Sequence, residues 1–170
     1  MTQRPTTKKS APKAAPKSNP QGRGRHPVAN EDASQPTNTE GLDGAMRALT
    51  LALEKKALEP ILLDVRQLCS FCNYQLVISG RSERQVDAIA DAIELGLKQE
   101  GLRAISTEGA RTGQWALLDY GDFVVHVFLH AVREHYDLEG LWNDAPRIAL
   151  DIPADARIPV DEQYETTAVQ

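Results

Sequence analysis

Two runs of alternating residues, Trp115–Tyr120 and Phe123–Leu129, stand out in the hydrophobic pattern of the chain, and only a Gly-Asp pair at 121–122 separates them. Alternation with a period of two is typical of a strand, and glycine at the first position of a two-residue loop is typical of a type II′ hairpin turn. Pairing the runs across this loop places Leu117 opposite His126. The pattern therefore predicts a β-hairpin.

The two faces of this hairpin differ in character, because successive side chains of a strand point to opposite sides. One face is almost wholly apolar and consists of Ala116, Leu118, Tyr120, Phe123, Val125, Val127 and Leu129. The other, called the mixed face below, consists of Trp115, Leu117, Asp119, Val124, His126 and Phe128. The first face is expected in the core. The mixed face is either core that holds a polar pair or a surface that something else covers.

The segments before the hairpin predict helices and strands in turn. A helical stripe that starts at Leu42 must end before Pro60, and Ile61–Val65 and Tyr74–Ile78 follow as two strands. A capping box then opens an amphipathic helix. It runs from Ser82 through the stripe Val86, Ile89, Ala90, Ile93 and Leu97 to a C-terminal glycine at 101, and Arg103–Ser106 is predicted as a short third strand.

After the hairpin, the pattern predicts short helices and then a tail. Val132 and Tyr136 indicate a helical turn or two, Asp137 begins a shorter helix and Pro146 halts it. The order of elements predicts an α/β fold: a mixed β-sheet with flanking helices in one domain, residues 41–148. Residues 1–40 are expected to be a disordered basic N-terminal tail, and 149–170 an acidic C-terminal tail.

The formal charge of −5 hides a split along the chain. Residues 1–30 carry seven Lys and Arg and no acid, so the other 140 residues carry 12 Lys and Arg against 24 Asp and Glu, a charge of −12. An acidic domain is not expected to grip nucleic acid directly, which leaves room for a basic partner protein. The basic arm, residues 1–40, is expected to be a solvated extension, because most segments of this kind are. Contact of this arm with rRNA is the alternative.

No segment has the composition of a membrane span or the continuous apolar run of a signal peptide. Four prolines, Pro5, Pro12, Pro16 and Pro20, would break the amphipathic helix of an organelle transit peptide. We therefore expect a cytoplasmic bacterial protein that does not enter a membrane.

Cys69 and Cys72 form a single CxxC motif, which is found in redox pairs and in zinc sites. A redox motif usually begins a helix after a strand, whereas this one precedes a strand. A zinc site needs two more ligands, and the sequence has no second CxxC. Ordinary loop cysteines are the favoured interpretation.

Three histidines follow one another at the end of the hairpin: His126, His130 and His135. The first two fall on opposite sides of a strand end, so only a chain reversal could bring all three around a metal. A partly buried, hydrogen-bonding role is favoured for His126, and no metal or cofactor is expected.

An enzyme that binds nucleotides is the alternative that the sequence raises. Nucleotidyltransferases hold phosphate at a Gly-Ser helix start and two Mg²⁺ ions on carboxylates, and Gly80–Ser82, Asp119 and Asp122 fit that plan superficially. The metal cage needs two acids two residues apart on one strand. Asp119 and Asp122 are three apart with a turn between them, and the next strand carries no acid. The catalytic acids are therefore missing.

Several motifs in order closely resemble those of the ribosomal silencing factor (Iojap/RsfS) family. They are Ser79-Gly80-Arg81-Ser82-Glu83-Arg84-Gln85-Val86, Ile89-Ala90-Asp91, Glu108-Gly109, Trp115, Leu118-Asp119-Tyr120-Gly121-Asp122, Val125-His126-Val127-Phe128, Arg133-Glu134, Tyr136-Asp137-Leu138-Glu139 and Leu141-Trp142. The resemblance covers about 45–148. The family commonly has Ser, Thr and Asp in the loop that carries Cys69, Cys72 and Asn73 here, which puts any role for that loop in doubt.

The resemblance implies a non-enzymatic factor with a nucleotidyltransferase-like fold that lacks the catalytic acids. Members bind the large ribosomal subunit through its protein number fourteen and sterically prevent the small subunit from joining. Translation then falls when nutrients are short, and in organelles the family also serves large-subunit biogenesis. A homodimer of the free protein that buries the mixed face is an alternative without a sequence signal.

Five residues are predicted to bind the partner, with the mixed face as the docking surface. Trp115 is the expected anchor, Asp119 would accept hydrogen bonds or pair with a basic side chain, and His126 would fix the geometry between them. Arg84 and Tyr136 are expected as neighbours. Alternatively, Trp115 packs under a helix, Arg84 is simply solvated, and Tyr136 is a core residue, which its helical stripe favours.

Overall fold

The computed structural model describes residues 39–157; residues 1–38 of the predicted basic arm and 158–170 of the predicted acidic tail lie outside this range. The elements in chain order are α1 (Thr39–Glu54), β1 (Leu58–Asp64), β2 (Tyr74–Gly80), α2 (Glu83–Gln99), β3 (Ser106–Glu108), β4 (Trp115–Asp119), β5 (Phe123–Leu129), α3 (His130–Tyr136), α4 (Leu138–Leu141), β6 (Arg147–Ile148) and a 3₁₀ turn (Ala154–Ala156).

The strands form one mixed six-stranded sheet in the order β3-β4-β5-β2-β1-β6. The central pair, β2 and β5, is parallel, and the other pairs are antiparallel. All seven residues of β2 are buried, which suits a central parallel strand that is covered on both faces. The predicted mixed sheet with flanking helices is confirmed.

The predicted hairpin forms β4 and β5 in the predicted register. Leu117 pairs with His126, and Trp115 pairs with Phe128. Gly121 has φ +84°, a backbone conformation that glycine adopts without the strain of a Cβ atom. The alternation along the two strands therefore separates the faces as the sequence indicated.

The apolar face of the hairpin lies in the main core under α1 and α2. All of its residues except Leu129, which packs at the edge of the core, are buried with the stripe of α2: Val86, Ile89, Ala90, Ile93 and Leu97. Ser82 caps α2, because its hydroxyl accepts a hydrogen bond from the Gln85 backbone N–H at 3.2 Å. The Gln85 side chain also donates to the carbonyl oxygens of Lys55 and Lys56, so the cap ties the end of α1 to the start of α2.

Strand β1 begins three residues earlier than the alternation predicts. Its register with β2 shifts between Leu58 and Ile61, and Glu59 in this irregularity has φ +48°. A bulge of this kind accommodates Pro60, which cannot donate a hydrogen bond to a regular ladder. The predicted end of the first helix before Pro60 is confirmed.

The prediction of a third strand over Arg103–Ser106 is wrong. Residues up to 105 lead away from the C-terminus of α2, and Leu102 and Ala104 pack against the main core. The paired register with β4 begins at Ser106 opposite Asp119, next to a hydrogen bond from the Ile105 N–H to the Asp119 carbonyl oxygen at 2.7 Å. The strand is therefore Ser106–Glu108, at the edge of the sheet.

The chain continues along the domain beyond the short helices. Strand β6 pairs with β1, and the sequence had not predicted it. Leu150 and Ile152 then pack against the main core, and Ala156 is buried. None of the helices within residues 39–157 has the length and apolar character needed to cross a membrane.

Helices α3 and α4 lie on the other side of the sheet, where Arg133 fixes them. Its guanidinium group donates to Glu139, to the Ser79 hydroxyl and to the Glu59 carbonyl oxygen at 2.7–2.8 Å. The link between the two helices is Asp137, which has φ +44° and caps α4 through the Gly140 N–H. The predicted restart of a helix at Asp137 is confirmed.

Candidate docking surface

An aromatic cluster formed by Trp115, His126, Phe128 and Tyr136 occupies the mixed face. The Trp115 ring lies 4.7 Å from that of Tyr136, 5.0 Å from that of Phe128 and 5.9 Å from that of His126, measured between centroids. The hairpin supplies three of these rings, and α3 brings the fourth over Trp115. The fold therefore assembles residues from two separate sequence motifs.

Burial changes steadily across this aromatic cluster. Phe128 is fully buried and His126 is 5% exposed, whereas Trp115 is half-buried and Tyr136 is 55% exposed. The expectation that Tyr136 is a core residue is wrong, because α3 packs only its inner side against the sheet and leaves the ring at the surface. The cluster thus has a rigid base and an exposed edge.

A groove of about 380 Å³ runs beside the aromatic cluster. This docking groove is lined by Phe71, Gln75, Ser106, Glu108, Trp115, Leu117, Asp119, Val124, His126, Leu138, Leu141 and Trp142. Two of its lining side chains, Phe71 and Leu141, are 71% and 74% exposed. Large apolar side chains held at the surface around a groove are typical of an interaction site.

The sequence prediction of the site missed Phe71 and Leu141. In the sequence, Phe71 is only a spacer of the CxxC motif, and Leu141 is only part of the Leu141-Trp142 motif of the family resemblance. A single apolar residue in a loop carries no periodicity, so the sequence offered a signal only for Leu141, as part of the Leu-Trp motif.

His126 forms the buried polar centre of the groove. Trp115 Nε1 donates a hydrogen bond to His126 Nδ1 at 3.3 Å, so the neutral ring carries its proton on Nε2. Burial lowers the pKa of His126 to about 4, against a weaker opposing effect of Glu139. His126 is therefore neutral at pH 7 and positions Trp115. Gln75, next to it, has a buried side-chain oxygen without a hydrogen-bond partner.

Asp119 stands where the groove meets the hairpin turn. Its Oδ1 atom accepts a hydrogen bond from the Gly121 N–H at 2.7 Å, so the carboxylate stabilises the turn as well as lining the groove. Glu108 on the neighbouring strand adds a second acid to the same lining. The groove therefore combines apolar walls with negative charge.

Arg84 lies apart from the other four predicted binding residues. It is exposed on the first turn of α2 and is absent from the lining of the docking groove. The structure thus brings Trp115, Asp119, His126 and Tyr136 to one face of the sheet and leaves Arg84 elsewhere.

The histidines that follow one another in sequence have separate surroundings. His130 lies 3.5 Å from Glu59 and 3.6 Å from Glu134, whereas His135 meets the edge of the Tyr136 ring. Among residues 39–157, no three His, Cys, Asp or Glu side chains come together in a way that could hold a metal ion.

Fold and site together define a class: a small α/β domain with two helices on one face of a mixed sheet and an aromatic, acid-edged groove on the other. The chain belongs to the ribosomal silencing factor family, because the family model described as "Ribosomal silencing factor during starvation" matches residues 38–170.

Curated relatives agree with this assignment. The chain is 44% identical to ribosomal silencing factor RsfS of Chromobacterium violaceum over 87 residues. This aligned region covers 51% of this chain and 71% of the relative. It is 36% identical over 115 residues to RsfS of Halalkalibacterium halodurans, and this region covers 68% of this chain and 96% of that relative. It is also 32% identical over 114 residues to the chloroplastic protein Iojap of Zea mays, covering 66% and 49%.

Solved structures of similar proteins share the fold. A crystal structure from Chromobacterium violaceum matches with a TM-score of 0.59 at 35% identity, over 66% of this chain and 93% of that one. A crystal structure from Bacillus halodurans matches with a TM-score of 0.57 at 34% identity, over 66% and 100%.

Proposed function

We propose that this protein binds the large ribosomal subunit through its ribosomal protein fourteen and sterically prevents the small subunit from joining. Membership of the silencing factor family supports a ribosomal partner and a repressive effect on translation. Nutrient limitation is the proposed condition, and assistance in large-subunit biogenesis is part of the same proposal. The action is binding alone, without a chemical step.

The exposed aromatic edge of the docking groove is the observation that carries this proposal. Tight protein interfaces usually concentrate binding energy in a few central aromatic side chains surrounded by weaker contacts. Trp115 lines the groove with Tyr136 packed against its ring, and Phe71 and Leu141 add to the apolar lining. An interface of roughly 1,600 Å² centred there would be large enough for a specific complex.

Charge favours a basic partner. Residues 31–170 carry a formal charge of −12, and Asp119 and Glu108 place part of it at the groove. Complementary charge speeds encounter and disfavours wrong partners. A basic ribosomal protein fits this requirement, whereas naked rRNA would be repelled by the domain. Contact of the basic arm, residues 1–40, with rRNA stays a prediction.

Co-sedimentation with purified large subunits tests the proposal. Phe71→Ala and Leu141→Ala together remove two exposed walls of the groove with little effect on folding, since neither side chain is buried. The matched control is Leu95→Ala, which removes a 58% exposed apolar side chain from α2 on the opposite face. We expect the double variant to bind at least about tenfold more weakly and the control to bind like the parent.

Two results would contradict the proposal. Large subunits that do not retain the parent protein would exclude the partner, and equal binding by the double variant would exclude the surface.

Calorimetry with Mg²⁺ and nucleoside triphosphates should give no binding heat; saturable heat would favour the enzyme alternative. A concentration-dependent dimer lost on Phe71→Ala would make a second copy the occupant of the groove.

A further inference from the structure

We propose that Cys69 and Cys72 are a thiol–disulfide redox site, which a low-molecular-weight disulfide converts to an intramolecular disulfide that restrains the Phe71 wall of the docking groove. The sequence alone favoured ordinary loop cysteines. This inference concerns a modification of the chain itself and does not depend on ribosome binding.

The two sulfur atoms already touch. Cys69 Sγ and Cys72 Sγ lie 3.7 Å apart, and both thiols are free. A disulfide needs a separation of about 2.0 Å, so closure requires the sulfurs to approach by about 1.7 Å. A movement of that size needs side-chain rotation and a small loop adjustment rather than unfolding.

The two cysteines differ in how firmly they are held. Cys72 is buried against Leu63, Val65 and Val124, and the next residue, Asn73, donates its N–H to the Asp122 carbonyl oxygen at 2.8 Å. Cys69 is only half-buried and stands between exposed neighbours. The Cys69 N–H donates to the Val65 carbonyl oxygen at 2.8 Å, so the adjustment falls on the Cys69 side chain and on the exposed residues 70 and 71.

Accessibility also sets the order of the chemical steps. The partly exposed Cys69 thiolate attacks the disulfide reagent, forms a mixed disulfide and releases one thiol. Cys72 then attacks Cys69 Sγ, gives up its proton and releases the second thiol. The protein loses two hydrogen atoms and two electrons, and the reagent is reduced to two thiols. Burial raises the pKa of Cys72 to about 12, which makes the second step slow.

Oxidation acts on the docking groove because Phe71 lies between the cysteines. Phe71 is 71% exposed, and its neighbour Ser70 is exposed as well. A disulfide across this loop removes conformations that the reduced loop can reach. The two cysteines that can form the disulfide therefore flank a residue that lines the docking groove.

The test uses the whole chain, glutathione disulfide and mass spectrometry. Both cysteines fall in one tryptic peptide, residues 67–81. We expect that peptide to lose two hydrogens without retaining glutathione, and dithiothreitol to restore it. Cys72→Ala should stop at a glutathione adduct on Cys69, and Cys69→Ala should react far more slowly. Hydrogen exchange of the segment around Phe71 should slow several-fold in the oxidised parent and not in the adduct.

Four results would overturn this inference. The parent could keep glutathione on Cys69 as long as the Cys72→Ala variant does, or it could form disulfide-linked dimers. Either outcome would show that the two thiols do not react with each other. Zinc added alone could bind stoichiometrically and protect both thiols, which would make the pair a metal site. Unchanged exchange around Phe71 after complete oxidation would disconnect the disulfide from the groove.

Discussion

The surroundings of His126 explain why a histidine can lie inside an apolar sheet. The hairpin pattern predicted its partner across the strands, Leu117, and its place beside Trp115. The pattern favoured a partly buried, hydrogen-bonding role for His126. It could not predict that burial is almost complete, because the way in which α3 and α4 fold back over the mixed face is a matter of tertiary packing. Only the assembled structure reveals that Trp115 donates to His126 Nδ1 and that the ring has lost contact with water.

This burial predicts a specific loss of stability in acid. The pKa of His126 is about 4 in the folded state, below its usual value, so the folded protein resists protonation more than the unfolded chain does. The stabilisation is therefore complete above the unfolded pKa of about 6.5 and is lost as the pH falls toward 4. Urea denaturation should show a loss of about 2 kcal/mol between pH 7 and pH 5 that is absent in His126→Gln. Parallel pH profiles for the two proteins would contradict this assignment.

Single exposed side chains are the part of the site that the sequence predicts least well. Trp115 and Asp119 on β4 and His126 on β5 are assigned to one face by the alternation along these paired strands. Phe71 and Leu141 reach that face from a loop and a one-turn helix, where no period exists to indicate direction. Their place beside the groove depends on tertiary packing alone.

Elements with strong local signals were predicted well, and short edge elements were not. The capped helix α2 and the hairpin combine periodicity with a defined cap or turn. Strands β3 and β6 contain three and two residues, too few for alternation to distinguish them from loop. Their positions depend on the neighbouring strand that they pair with, which lies far away in sequence.

The connection between β3 and β4 depends on Gly109. It has φ +69°, and a Cβ atom there would collide with the carbonyl oxygen of Trp115. Gly101, which follows the C-cap residue Glu100 of α2, has φ +92° with open space around it. Thermal or urea denaturation should show that Gly101→Ala costs about 1 kcal/mol, from backbone strain alone.

Gly109→Ala should cost at least about 2 kcal/mol more than Gly101→Ala, because the backbone of Trp115 must also move. Tryptophan fluorescence of the Gly109 variant should shift toward that of a more exposed ring. Equal costs for the two substitutions would mean that β3 and β4 do not approach as closely as the structure indicates.

The attachment of α3 and α4 to the sheet depends on a buried ion pair. Arg133 and Glu139 are both shielded from solvent, and their side chains meet at 2.6 Å. Arg133→Met would leave the Glu139 carboxylate without its partner, at a cost of about 3–5 kcal/mol. The double variant Arg133→Met/Glu139→Leu should recover part of this loss in urea denaturation. A double variant as unstable as the single one would show that the pair acts through packing.

At the scale of the whole molecule, the class of fold could be predicted but the strand order could not. Helices and strands in this order, together with a hairpin, indicated a mixed sheet. The parallel pairing of β2 with β5, from Tyr74 opposite Phe123 to Gly80 opposite Leu129, joins segments on either side of α2. No local pattern specifies such a pairing, because it depends on how α1 and α2 cover the apolar face.

The same arrangement makes the two faces of the sheet structurally different. One face is closed by α1 and α2 around the main core, and the other is only partly covered, so that the aromatic cluster keeps an exposed edge. This division lets the domain present a rigid, acidic, aromatic surface without weakening its core. This division suits the proposed function, in which the protein acts by occupying a site on the large ribosomal subunit.

Subunit joining, followed on sucrose gradients, tests this account most directly. Purified large and small subunits are mixed with increasing amounts of the parent protein, Trp115→Ala or the control Leu95→Ala, each first checked for folding by circular dichroism. The parent and the control should reduce the complete ribosome peak at the same concentration, and Trp115→Ala should need about tenfold more protein. Complete ribosomes that form unhindered in excess parent protein, or a Trp115→Ala variant that blocks joining as well as the parent, would contradict it.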